Sequence, residues 1–103
     1  MIAISGVVGS SGKYLVTGMP IDTSHQAILK IAFENNTSGT NLGLYVGTVA
    51  EFESGTGGTQ LSGSGGPGFQ FLTIVDANKF SGKVIFVRRE VGSAASTFTL
   101  SLE

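Results

Sequence analysis

Residues 83–102 read Lys83-Val84-Ile85-Phe86-Val87-Arg88-Arg89-Glu90-Val91-Gly92-Ser93-Ala94-Ala95-Ser96-Thr97-Phe98-Thr99-Leu100-Ser101-Leu102. The last six residues alternate, with Phe98, Leu100 and Leu102 on one side and Thr97, Thr99 and Ser101 on the other. That period of two is the signature of a half-buried strand. In Lys83–Arg89, Val84 and Phe86 stand against Ile85 and Val87, so both sides are apolar. Such a run reads as a central or covered strand. Gly92–Ser96 is the turn between the two.

The same pattern extends back along the chain. Ile2–Val8 and Lys13–Thr17 are short β-rich runs joined by Gly9-Ser10-Ser11-Gly12. Ala27–Glu34 sets Ala27, Leu29, Ile31 and Phe33 against Ile28, Lys30, Ala32 and Glu34. Asp22-Thr23-Ser24 are good helix N-caps, so a helix from Asp22 to Ile31 is the competing reading. The alternation through Phe33 favours a strand after a turn at Asp22–His25. Leu42–Ala50 is the next strand, with Gly43 and Gly47 marking a bend or close packing. Phe69–Val75 sets Phe69, Phe71, Thr73 and Val75 against Gln70, Leu72 and Ile74. Seven or eight strands in 103 residues predict one domain, residues 1–103. Its expected fold is an all-β, antiparallel two-sheet β-sandwich, jelly-roll-like. The expected core holds Leu29, Ile31, Phe33, Leu44, Val46, Phe71, Val84, Phe86, Phe98 and Leu100.

Composition narrows function more than it identifies it. Charged residues make up 13%, against about 25% in an average soluble domain. Gly, Ser and Thr fill the difference. Six basic and seven acidic residues leave no basic patch suited to a nucleic-acid backbone. The absence of Cys removes disulfides and thiolate chemistry. The longest apolar runs reach four residues, far short of the ~20 that span a membrane as a helix. The first residues lack the charged and apolar regions of a secretory signal. Segment 54–68 holds fifteen residues, seven of them Gly, and no charge. It reads either as a flexible crossover or as an arm that orders against a neighbour.

Motifs for chemistry are weak. Gly63-Ser64-Gly65-Gly66-Pro67-Gly68 matches a dinucleotide fingerprint by letters, but a strand follows it where a helix is required. Gly9-Ser10-Ser11-Gly12-Lys13 lacks the first Gly of a phosphate loop and has Tyr14 at the magnesium-binding hydroxyl position. Asp22, Ser24 and His25 are the residue types of a hydrolytic triad, but adjacent side chains point apart. Glu51 and Glu53 share a face of the expected strand and read as a solvated edge. Asp76 with Asn78, or Glu34 with Asn35 and Asn36, are the oxygen-rich turns in which calcium is conceivable. Asn35-Asn36-Thr37-Ser38 contains two overlapping glycosylation triplets that read as turn residues. Arg88 and Arg89 point to opposite faces of one strand. These readings lead to a non-enzymatic protein with no cofactor and no metal centre.

From about Lys13 onward the order of segments resembles the bacterial pre-peptidase C-terminal domain. Gly43-Leu44-Tyr45-Val46 is similar to that family's D-L-Y-V strand, with Gly43 in place of Asp. Gly82-Lys83-Val84-Ile85-Phe86-Val87-Arg88 resembles its G-x-Y-x-V-x-V strand, without the Tyr. Phe98-Thr99-Leu100-Ser101-Leu102 resembles its closing strand. The resemblance implies a small sandwich without catalysis of its own.

A mean hydropathy of +0.29 and a charge near zero describe a surface that promotes association. The expected role is a structural subunit of a homo-oligomer or larger protein assembly. Its most specific form is a virion protein, a capsid decoration or cement subunit, with a trimer carried only by analogy. The alternative is a secreted, extracellular accessory domain that binds a carbohydrate or protein polymer, or its parent enzyme. Expected contact residues are Ser54, Gly55, Thr56, Gln60, Leu61 and Pro67 in the glycine-rich segment, with Tyr14 and Tyr45 as aromatic platforms.

Overall fold

The computed structural model describes residues 2–18, 29–37, 39–61, 68–74 and 77–102. Eight strands form among them: β1 Ile2–Val8, β2 Lys13–Gly18, β3 Leu29–Asn35, β4 Asn41–Gly47, β5 Thr59–Gln60, β6 Gly68–Ile74, β7 Val84–Val91 and β8 Ser96–Leu102. One short helix, α1, covers Val49–Ser54, and a 3-10 turn covers Ala77–Phe80. The strands make two four-stranded antiparallel sheets, ordered β1-β8-β3-β6 and β2-β7-β4-β5. Successive strands alternate between sheets for most of the chain, and the first and last strands pair. This is the strand order of a jelly roll, in which two Greek keys fold over one core.

Alternation places the core. Ile4 and Val8 on β1 point inward, as do Phe98, Leu100 and Leu102 on β8 and Ile31 and Phe33 on β3. Leu42, Leu44 and Val46 on β4 meet them from the other sheet, with Ile85 and Val87 on β7. Phe98 sits near the centre. Tyr14 meets its ring edge-on at 5.1 Å and Phe33 lies 6.0 Å away. Gly6 is opposite Phe98 in the ladder. A Cβ at Gly6 would fall 2.8 Å from the Tyr14 ring and 2.9 Å from that of Phe98. Neither packed ring can retreat cheaply, so the site excludes even a methyl group.

Polar side chains close the ends of the sandwich. One Arg89 guanidinium nitrogen, Nη1, donates to the carbonyl oxygens of Val8 (3.2 Å), Gly9 (3.0 Å) and Ala94 (2.9 Å). It thereby ties the β1–β2 turn to the β7–β8 turn. Buried Asn35 donates from Nδ2 to the Thr40 carbonyl at 2.9 Å and accepts from the Thr37 amide at 3.0 Å. Its side chain is thus used in shaping the β3–β4 turn, and Asn35 has no exposed amide for glycosylation.

Three expectations change. Phe71 is not a core residue: it is 78% exposed. It pairs with Ala32, one position out of phase with inward-facing Ile31 and Leu72. Phe86 is fully buried but on the outward face of β7, and half-buried Val84 shares that face. Ile85 and Val87 fill the inter-sheet positions instead. The expected strand Leu42–Ala50 stops at Gly47, and Val49–Ser54 turns into α1. The eighth strand, β5, lies inside the glycine-rich segment. Residues 19–28, including His25, lie outside the described residues, as do Pro67 and Asp76. So does the side chain of Leu29.

Truncating Phe98 to Ala should destabilise the domain by about 3–5 kcal/mol, the usual range for a core phenylalanine. Phe71→Ala, measured at low protein concentration, should stay within about 0.5 kcal/mol of wild type. Urea titration of both variants checks the assignment. A large loss at Phe71 with a small one at Phe98 would invert the two faces of the first sheet.

Two unequal outer faces as the candidate functional site

A sandwich has two outward faces, and here the chain finishes them differently. On β2-β7-β4-β5, the outward side of β7 carries Phe86 and Arg88, and that of β4 carries Gly43, Tyr45 and Gly47. Tyr45 stacks on Phe86 at 5.7 Å with planes 10° apart. Phe52 of α1 covers Phe86 edge-on at 5.5 Å. The Arg88 guanidinium lies 4.4 Å from the Tyr45 ring centre and 5.3 Å from that of Phe86, a cation–π stack over both. Lys13 reaches across Phe52 at 5.3 Å and donates to the Glu53 carbonyl.

Helix α1 is held over this cluster by Glu51. Thr48 is the N-cap: its hydroxyl accepts from the Glu51 amide at 3.1 Å, while the Glu51 carboxylate accepts from the Thr48 amide at 2.8 Å. This is a capping box. The other carboxylate oxygen accepts from the Gly58 amide at 2.9 Å, which draws the segment after α1 back onto β4. A Cβ on Gly47 would lie 2.8 Å from the Glu51 carboxylate and 3.2 Å from the Gly58 backbone, so β4 must be bare there. The hydrogen bonds from Thr48 and Gly58 lower the Glu51 pKa below its usual 4.5. Burial lowers the pKa of Arg88, opposed by the charge of Glu51. Burial raises that of Glu90, which lies over Gly43. Glu51 and Glu53 therefore belong to a helix and not to a strand edge. The Thr48-Val49-Ala50-Glu51 spacing is the signal that identifies it.

The expected contact residues divide between roles. Tyr14 is half-buried with its ring against Phe98, and Tyr45 lies buried with the Arg88 guanidinium over its ring face. Gly55 ends α1 in the left-handed conformation at φ 75°. Ser54 and Thr56 are exposed and bonded to each other. Gln60 is exposed on β5. Leu61 packs against the core and donates its amide to the Leu44 carbonyl at 2.7 Å. Gln60 and Leu61 border a shallow opening towards β6 of about 330 Å³.

Among the described residues, no helix or loop covers the outward face of β1-β8-β3-β6. Its central row runs Ala3, Ser101, Ala32, Phe71 across the four strands. Ser5, Thr99 and Glu34 form the next row towards one end; Lys30 and Thr73 flank the other. An open depression of about 410 Å³ lies against Lys30, Ala32, Phe71, Thr73 and Ser101. A second, of about 260 Å³, continues over Ala3, Ser5, Ala32, Thr99 and Ser101. The floor is low because its side chains are small, and Phe71 stands at its side. Among the described residues no three His, Asp or Glu side chains converge on a metal site. Compared with protein-family models, curated proteins and solved structures, the chain matches none.

Acidification tests the Glu51 tie. A carboxylate whose pKa is lowered by folding contributes stability above its unfolded value, and that contribution is lost as pH falls through the folded pKa. The Thr48 and Gly58 amide resonances should therefore shift together with a midpoint below 4.5, and Glu51→Gln should abolish the transition. A midpoint at or above the ordinary glutamate value would show that the carboxylate does not hold the two segments.

Proposed function

We propose that this protein is a non-enzymatic structural subunit that works through protein–protein contacts, in the form of a virion surface or capsid decoration protein. One observation carries the reading: the chain builds a helix to cover the aromatic residues on one outward sheet face, yet leaves Phe71 at 78% exposure on the other. A large aromatic side chain on an uncovered face contributes little to the isolated fold and much to an interface. The low charge of the whole surface supports the same reading. Jelly rolls serve as building blocks of viral capsids, an analogy of fold that favours this role among structural ones.

A secreted accessory domain of the pre-peptidase type is the second reading. Jelly rolls also serve as lectins, and Phe71 among Ser and Thr hydroxyls is a surface on which a sugar ring can stack. On this reading the protein is a monomer that gains a ligand and not a copy of itself.

Sedimentation over a wide concentration series, together with the genes beside its own, separates the two. The expected result is concentration-dependent association and a location beside capsid or tail genes. A stable monomer encoded within a protease or glycosidase precursor would overturn the structural reading.

A further inference from the structure

We infer that the open face of β1-β8-β3-β6 pairs with the same face of a second copy about a two-fold axis, with Lys30 of each copy meeting Glu34 of the other. This rests on the proposed structural role and names the surface and symmetry that serve it.

The argument begins with the arrangement of charge. Lys30, Ala32 and Glu34 lie on one face of β3, at successive outward positions. A two-fold axis lying in the interface along the row Ala3, Ser101, Ala32, Phe71 runs across the strands. It reverses strand direction between copies and returns each residue of the row to its own counterpart. Ala32 then meets Ala32 and Phe71 meets Phe71, while Lys30 on one side of the axis is carried opposite Glu34 on the other, twice per pair. The low floor of Ala3, Ala32 and Ser101 lets two such faces approach, and Phe71 closes one side. A three-fold ring joins two different patches, whereas here one face meets itself; this face therefore serves a two-fold pair, and a trimer would use another surface.

The placement of the cations is an independent observation. Five of the six basic side chains are engaged by their own chain. Lys13 and Arg88 lie over the Phe52 and Tyr45 rings, Lys79 and Lys83 over that of Phe80, and Arg89 binds carbonyls. Lys30 alone among the described cations stands exposed on a sheet face without such a contact. A chain with so few charges places one at each flank of its bare face, of opposite sign.

Area sets the strength. Four strands of about seven residues give a face of roughly 450 Å², from the usual strand spacing and rise. Pairing two such faces lies at the low end of specific interfaces. The pair is therefore weak and concentration-dependent, as suits a contact repeated through a lattice.

Charge reversal supplies the test, with circular dichroism confirming that each variant folds. Lys30→Glu and Glu34→Lys each create two like-charge contacts and should weaken association by about tenfold or more. The double variant K30E/E34K should restore it, and Phe71→Ser should weaken it at unchanged melting temperature. A carbodiimide cross-linker should join Lys30 to Glu34 between isotopically distinct copies. Within one copy the two residues are about 13 Å apart along the strand, too far for a zero-length link. Association that ignores all four variants would overturn this pairing and leave the structural role standing. Single variants that weaken association without rescue by the double variant would overturn the two-fold register. A monomer at every concentration would overturn both the pairing and the self-assembling role.

Discussion

An aromatic side chain on the outward face of an antiparallel strand has to be covered by something other than the opposing sheet. Phe86 sets that constraint here. Its neighbours on β7, Ile85 and Val87, face the core, so Phe86 itself faces away from it, yet it is fully buried. Everything on that side of the molecule is arranged to make this so. Tyr45 lies parallel to the ring and Phe52 closes it edge-on. Gly47 and Gly58 allow the backbone to approach the ring. Glu51 holds the approaching segment in place through two amide hydrogen bonds. The six-residue helix α1 is too short to persist alone; it exists because it caps Phe86.

That dependence explains which parts of the structure were readable from sequence. The seven longer strands follow from alternation, because their spacing of apolar residues matches the pleat. What alternation does not supply is which of two apolar faces meets the opposing sheet. On β7 both faces are apolar, and the heavier one, with Phe86, turned outward under its own cover. On β6 the aromatic face containing Phe71 outweighs Gln70, Leu72 and Ile74, yet register with β3 sends Leu72 and Ile74 inward beside Ile31. Helix α1 was hidden because Val49 and Ala50 continue the apolar run of β4. Its signal lay in four residues, Thr48 to Glu51, and depended on capping rather than periodicity. Strand β5 has two residues, too few to carry any period. Of the expected contact residues, Tyr45 is legible as an outward tyrosine, but the Arg88 guanidinium laid over its ring carries no period in the sequence.

The sparse charge acquires a meaning in this setting. A cation laid over an aromatic ring keeps its stem on apolar surface and its head partly solvated. Arg88 over Tyr45 and Lys13 over Phe52 form the outer skin of the covered face. Arg89 serves a different end, holding two turns through carbonyls that would otherwise need water. These residues work within the chain, which is why a pair such as Arg88-Arg89 makes no joint anion site. The aromatic cluster of the covered face is thus skinned by cations, while Leu15 beside it on β2 stays 45% exposed.

The open face is the converse, and the contrast between the two explains why it can stay open. A sheet face of Ala3, Ser5, Ala32, Thr99 and Ser101 has little apolar area to hide, so folding does not demand a cover for it. The hydrophobic return on covering small side chains is low, at roughly 25 cal/mol per Å². Phe71, at 78% exposure, and Val7, at 52%, are the large apolar side chains that this face leaves to solvent. Thr73 beside Phe71 shows that a polar β-former fits the same outward row of β6. A largely exposed aromatic ring, set among small side chains that let another surface come close, is what the proposed pairing of this face uses.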